Sequence, residues 1–316
     1  MSIDSGQNRR DDLITDDVRN LGFFGKIGRH AVRAVSRLPL CVMYVVADIC
    51  YFFMCHVVRY RRKVVDENLA IVFPDKTEAE RKTIRRKFYH HLCDYGVETI
   101  KAITMTDEEQ ERRFRVRNPE LVNDIMKSGQ SVFLYAAHFG NWEWFTIYAN
   151  HLDRQFEVHA FYQPQDNAVA DRIVKELRSR RGVVAIESHR AFREIVSCSR
   201  KGIICSTLVI GDQCPHFSIS KYWLDFCGRD TPFLTGPEHM ARKLDIALVY
   251  PSFYEIKRGY YEVEMKLIEL HPGQTPEREC TKKFAALLEE DLRRQPHLWL
   301  WSHRRWKHNH KDFPNE

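Results

Sequence analysis

The sequence has no Cys-x-x-Cys pair, no His-Glu-x-x-His, no Gly-x-Ser-x-Gly and no glycine-rich phosphate loop. These absences exclude the usual zinc and redox frameworks, zincin chemistry, the serine nucleophile elbow and the nucleotide-phosphate cradle. Nine cysteines, at 41, 50, 55, 93, 198, 205, 214, 227 and 280, make an odd number with no ligand spacing, so neither a disulfide framework nor a metal site is suggested. Several lie in apolar runs, where a free thiol behaves as a small hydrophobe, as suits a reducing compartment. His90, His91 and Cys93 lack a second ligand pair and fit a surface helix. Internal repeats and low-complexity linkers are missing too. The mean hydropathy is negative, which excludes a protein made mostly of membrane spans.

What the chain does have is a modest basic excess, 49 Lys and Arg against 43 Asp and Glu, unevenly placed. Arg29, Arg33 and Arg37 precede one apolar stretch, and Arg59, Arg61, Arg62 and Lys63 follow it. Further runs are Arg81, Lys82, Arg85, Arg86 and Lys87, then Arg304, Arg305 and Lys307. Basic clusters beside an apolar helix attract anionic headgroups by about 1 kcal/mol per charge near the surface. No nucleic-acid motif accompanies them, so a nucleic-acid partner is not expected. Taken singly, many of these residues also fit a solvated helix face.

The apolar stretch is Leu38–Val58, interrupted only by Pro39, Asp48 and His56 and long enough to cross a bilayer. It starts late, without a small-residue cleavage site, so it does not read as a secretory signal. A mid-helix Asp costs about 3 kcal/mol on insertion, which makes a simple span only marginally favoured. A helix lying in the interface and a span with Asp48 turned toward protein are both open, as is a buried core helix.

The expected organisation is a polar and basic segment over 1–37, a membrane-associated helix over 38–59, a helical segment over 60–115 and an α/β domain over 116–310. Thr77 with Glu80 forms a capping box, and Ile84, Phe88, Leu92 and Tyr95 mark one apolar helix face. Beyond Pro119, strands are predicted at 131–137, 156–162, 183–187, 203–210, 246–253 and 260–268. Helices are predicted at 143–150, 168–181, 189–200, 237–244 and 276–294. Such alternation implies a mostly parallel central sheet flanked by helices.

The sharpest local signal is His138-Phe139-Gly140-Asn141-Trp142-Glu143, directly after the strand ending at Ala137. In an open α/β sheet the turn beyond a strand's carboxyl end is where ligands bind. On one helix His138 and Glu143 would stand about 140° apart, so they meet only if His138 lies in a turn and Glu143 on the helix after it. Gly140 and Asn141 suit such a turn. A carboxylate on one ring nitrogen would fix the tautomer and leave the other nitrogen to take a proton, with free amides at the helix start facing the developing oxyanion. A capping and hydrogen-bonding pair with no chemistry fits the same spacing.

Here the sequence resembles the late lauroyl and myristoyl transferases of lipid A biosynthesis, within the lysophospholipid acyltransferase superfamily. The likeness runs over roughly residues 36 to 308. It rests on the His-x4-Glu stretch 138–143, on Leu38-Pro39 through Lys63 with Glu67-Asn68-Leu69 and Phe73-Pro74, and on Arg178 with Arg180-Arg181-Gly182. Further on lie Gly211-Asp212-Gln213, Phe226-Cys227-Gly228, Thr235-Gly236-Pro237 with Ala241-Arg242, and the closing Trp299-Leu300-Trp301-Ser302-His303-Arg304-Arg305-Trp306-Lys307. The resemblance implies acyl transfer from acyl carrier protein, or acyl-CoA, to a hydroxyl of a lipid A precursor, with no metal or bound cofactor because the thioester is already activated. It implies His138 as general base, Glu143 as its partner, Asp212 in support, and Gly140, Asn141, Gln163, Arg178, Arg181, Asp212 and Gln213 around the substrate. It places the enzyme on the cytoplasmic side of a bacterial inner membrane. Two departures stand out. Tyr162-Gln163-Pro164 replaces the family's Tyr-Arg-Pro, so a fixed charge is missing and another lipid acceptor stays open, such as an amino-acid lipid or a glycolipid. The closing segment carries a small insertion before His303. A catalytically silent membrane scaffold is the alternative from another class.

Overall fold

The apolar runs of the second half of the chain become the inner strands of one sheet. The computed structural model describes residues 23–164, 167–179, 182–216 and 222–308. At its centre is β2 (Val132–Ala136), buried at every position, between β5 (Cys205–Ile210) and β8 (Ala247–Lys257). Outside β5 lie β3 (Glu157–Tyr162) and β4 (Val183–Glu187); outside β8 lie β9 (Tyr260–Glu269) and the short β1 (Phe114–Val116). All pairings in this sheet are parallel except that of β8 with β9. A strand buried on both faces has no wet side to mark with polar residues, so β2 reads as a continuous apolar run.

This is the expected α/β class with a mostly parallel sheet, and each expected strand has its counterpart. The structure adds β1, a helix at Glu120–Lys127, and a separate hairpin, β6 (Tyr222–Phe226) with β7 (Arg229–Phe233). Its two-residue turn, Cys227-Gly228, has φ of 56° and 73°, the left-handed pair that matches strand twist in tight hairpins. The Phe226-Cys227-Gly228 stretch is therefore a structural corner.

The helices are α1 (Phe23–Ser36), α2 (Leu40–Phe52), α3 (Arg62–Val72), α4 (Glu78–Lys101), α5 (Asp107–Arg113) and α6 (Glu120–Lys127), then α7 (Ala168–Arg178), α8 (Ala191–Arg200), α9 (Gly236–Leu244) and α10 (Glu279–Arg294). At the start of α4, Thr77 Oγ1 accepts from the Glu80 amide and the Glu80 carboxylate accepts from the Thr77 amide, the reciprocal box read from the sequence. The stretch expected as a helix from 143 is instead a 3-10 helix, Trp144–His151.

Helix α2 runs on into a wider π-type turn at Phe53–Val58 and packs along α4. Leu40, Met43 and Ala47 point inward, whereas Val42, Val45, Val46, Ile49, Phe52 and Phe53 are exposed. Asp48 turns toward protein. It accepts from Arg258 at 2.6 Å and lies 3.1 Å from His90 Nε2. Arg258 belongs to the β8–β9 turn, stacks over the Tyr44 ring and also binds Asp94 at 2.6 Å. In the same turn Gly259 has φ of 73°, and a Cβ there would lie 2.0 Å from Tyr44 Oη, so only glycine admits the helix so close.

Candidate active site

Strand register builds the site. In the β2–β5 pair Ala136 lies opposite Ile210, and the Gly211 amide donates to Ala136 O. Continuing two residues past each strand brings His138 and Asp212 side by side at the carboxyl edge of the sheet. His138 Nδ1 lies 2.7 Å from Asp212 Oδ1, and Trp299 Nε1 donates to Asp212 Oδ2 at 2.8 Å. Gly211 is required here, because a Cβ would sit 2.3 Å from the Tyr135 ring.

Burial pushes the Asp212 carboxyl up, but the adjacent His138 ring, its hydrogen bond and the Trp299 N–H outweigh that and hold it below the ordinary carboxylate range. An ionised Asp212 accepts from Nδ1–H, so Nε2 keeps the lone pair. Nε2 faces the Gln213 carboxamide at 3.5 Å, and His138 is one-fifth exposed. Trp142 stands edge-on to the imidazole at 5.2 Å and is stacked on Tyr95 at 4.2 Å, which fixes the ring's third side.

The turn from 138 to 143 is held at both ends. Gly140 has φ of 62°, its amide donates to Leu298 O, and the Leu300 amide donates to His138 O. The closing segment thus pairs with the turn like a short strand, through a Phe139–Trp299 bridge. Asn141 is wholly buried: Oδ1 accepts from the Trp144 amide, and Nδ2 donates to Glu98 at 2.7 Å. Glu98 also accepts from Tyr44 at 2.7 Å and Tyr261 at 2.9 Å. Below the closing segment, Asn68 donates to the carbonyls of Trp301 and His303, and His303 Nε2 accepts from the Cys214 amide. Burial pushes His303 down to about 4.

Glu143 is placed differently from the sequence expectation. It forms a two-point ion pair with Arg178, at 2.6 and 3.3 Å, while the carboxylate on His138 is Asp212. The cause is the 3-10 start at Trp144, which aims Glu143 toward the end of α7 rather than back over the turn. Arg178 spends its remaining nitrogen on Phe161 O at 3.0 Å. Burial pushes the Arg178 guanidinium down, yet the charge of Glu143 leaves it above its ordinary value. Gln163 is exposed just past β3 and Gln213 is exposed beside His138; Arg181 lies outside the described residues. Gly140 and Asn141 hold the turn from within. The Gly140 amide, the Asn141 carboxamide and both Trp144 N–H groups are committed, and the Gln213 carboxamide lies 3.5 Å from Nε2.

Sequence reasoning missed Glu98, Trp299 as an Asp212 donor, and Asn68 as a brace. The only local hint was that Asp212, like His138, follows an apolar strand.

Comparison with known proteins makes the molecule an acyltransferase, and the histidine-bearing turn at the strand ends of its mostly parallel sheet is the candidate site. The chain belongs to the bacterial lipid A biosynthesis acyltransferase family, which matches it over residues 19–308. It is similar to the lipid A biosynthesis lauroyltransferase of Escherichia coli (strain K12), with 24% identity over 289 residues that cover 89% of this chain and 90% of that protein.

Proposed function

We propose that this enzyme moves a fatty acyl chain from an acyl carrier protein thioester to a hydroxyl of a lipid A precursor, with His138 as general base and Asp212 as the carboxylate that orients it. The observation that carries this reading is the Asp212–His138 contact at 2.7 Å with Nε2 left facing outward. Nε2 takes the proton of the acceptor hydroxyl as its oxygen attacks the thioester carbonyl. The resulting oxyanion accepts from the Gln213 amide. Collapse of the tetrahedral intermediate breaks the carbon–sulfur bond, and the departing thiolate takes the proton from His138. Asp212 stays ionised throughout and stabilises the imidazolium. Glu143 neutralises Arg178, so the pair builds a wall beside the turn, and the second carboxylate near His138 acts through position.

The exposed apolar face of α2 and its exposed basic neighbours, Arg59, Arg61, Arg62 and Lys63, fit an anionic bilayer on the cytoplasmic side of the inner membrane. Asp48 is tied to the β8–β9 turn, so the middle of the helix lies against the catalytic domain and the helix lies along the interface. Extraction of membranes with alkaline carbonate tests this: release supports an interfacial helix, and full retention supports a span.

The decisive assay follows a lipid A precursor by mass spectrometry in membranes supplied with acyl carrier protein thioesters. Wild type adds one acyl chain, and His138→Ala lowers the rate by about 10²- to 10⁴-fold. Activity that survives this change removes His138 as the base. Because Gln163 supplies no fixed charge next to β3, the same assay on whole lipid extract tests a different acceptor: thioester consumed there, but not with lipid A precursor, favours the second reading.

A further inference from the structure

Helix α2 and the turn that carries His138 meet on one carboxylate. Glu98, wholly buried on α4, divides its two oxygens between them. Oε1 accepts from Tyr44 of α2 at 2.7 Å. Oε2 accepts from Asn141 of the turn at 2.7 Å and from Tyr261 at 2.9 Å. The Glu98 carbonyl accepts the Trp144 indole N–H at 2.9 Å, so the same residue also grips the far end of the turn. Either end of α2 is tied in as well. Before it, Lys101 donates to Leu38 O at 3.0 Å and Thr104 to Ser36 O at 2.6 Å. After it, Arg61 of the basic run donates to Ser302 O at 3.0 Å, and the closing segment that holds Ser302 pairs with the 138–140 turn.

The two long sides of α2 differ in kind. The inner side carries Tyr44 and Asp48, hydrogen-bonded to Glu98 and Arg258, and the outer side is the exposed apolar face. Water gives that outer side no partner, whereas a bilayer buries it. A bilayer also selects how the helix sits. Lifted off α4, α2 would carry an unpaired Asp48 and an unsatisfied Tyr44 hydroxyl into lipid, where both are expensive. Seated on α4, it keeps both groups on their partners and turns its apolar side to the lipid. Lipid therefore has a differential affinity for the seated helix, which a ligand needs in order to shift an equilibrium. We propose that bilayer contact is an activating signal: an anionic phospholipid surface holds α2 on α4, the seated helix holds Tyr44 on Glu98, and Glu98 holds the 138–143 turn in its working shape. This rests on the membrane placement and the site proposed above. Tyr44 and Glu98 are then positioning residues, since both act on His138 through the turn.

The test is pulsed hydrogen exchange on the full chain, diluted from detergent into buffer or into vesicles of phosphatidylglycerol and phosphatidylethanolamine, with neither acyl donor nor acceptor present. The vesicles should sediment wild type and slow exchange in peptides spanning 139–144 about tenfold. Tyr44→Phe leaves the outer face intact, so it should sediment equally well and lose that slowing. In the acyl-transfer assay its kcat should fall about fivefold with the acceptor KM unchanged. A merely structural tyrosine would weaken the fold in buffer and on vesicles alike and leave the vesicle effect in place. Asp48→Ala removes the charge that keeps the inner side out of lipid and should shrink the vesicle effect. Wild type that sediments with unchanged exchange, or Tyr44→Phe that keeps the full slowing, would overturn the coupling alone. Wild type left in the supernatant would overturn the membrane placement together with it.

Discussion

Two buried carboxylates grip the same turn from opposite sides, and burial leaves them in opposite states. Asp212 holds His138 and Glu98 holds Asn141, three residues further on. Burial raises both. Around Asp212 stands a ring that becomes a cation on taking a proton, together with the Trp299 N–H, and the carboxyl ends below its ordinary range. Around Glu98 the donors are all neutral: Tyr44, Tyr261 and Asn141 lower it, yet burial still wins and pushes it up to about 7. Neutral donors recover only part of the lost hydration of a carboxylate, while a titratable partner can recover more than all of it. Asp212 is thus kept ionised beside His138, and Glu98 rests at the edge of neutrality as a structural hub.

The contrast is broken most severely by Asp212→Asn. An amide can donate to Nδ1 and reverse the tautomer, so kcat should fall about 10²- to 10⁴-fold with the fold retained by circular dichroism. Glu98→Ala comes next. It strands Tyr44, Tyr261 and Asn141 in a dry interior, and denaturant unfolding should show a loss of about 3 kcal/mol or more. Activity in that variant should drop through a disordered 138–143 turn, while Glu98→Gln should restore most of both. Trp299→Phe removes one hydrogen bond from Asp212 and should lower kcat about tenfold, with the acceptor KM unchanged. Tyr44→Phe is the mildest, about 1 kcal/mol of stability.

The pH dependence sharpens the same comparison. Glu98 has a folded value near 7 against an ordinary 4.5, so the native state holds its proton more tightly than the unfolded chain between those values. Its effect on stability therefore falls as pH rises from about 4.5 to 7 and is level above, by up to about 3 kcal/mol. Asp212 acts in the reverse sense, since its folded value is depressed: its contribution is present above the ordinary carboxylate range and is lost as pH falls through the folded value. Unfolding midpoints measured from pH 5 to 7.5 should decline more in wild type than in Glu98→Gln. Parallel slopes would remove Glu98 from the account.

Much of the fold was legible because its signals are local. The strand at Val132–Ala136 announced itself as an unbroken apolar run, and Thr77 with Glu80 marked the start of α4 to the residue. The short β1 and the β6–β7 hairpin were not legible: three residues carry no periodicity, and Cys227 gives no hint of positive φ. At the site the His138 turn was visible, and Asp212 stood out only as a supporting residue beside the expected partner Glu143. Glu143 lay nearby in sequence, whereas Asp212 becomes a neighbour only when β2 and β5 align in register. Asp48 shows the same limit. Its cost inside a membrane was evident from the helix alone, and its relief by Arg258 needed the β8–β9 turn brought against it.

The pairing of Leu298–Leu300 with the turn at 138–140 also orders events in time. A ribosome releases α2 first, while the segment that closes the turn and supplies Trp299 to Asp212 emerges long after it. On the proposed membrane placement, α2 is therefore available to a bilayer long before the turn at 138–140 is closed. A chain cut short before Trp299 would leave Asp212 without its indole donor and the 138–140 turn without its partner segment.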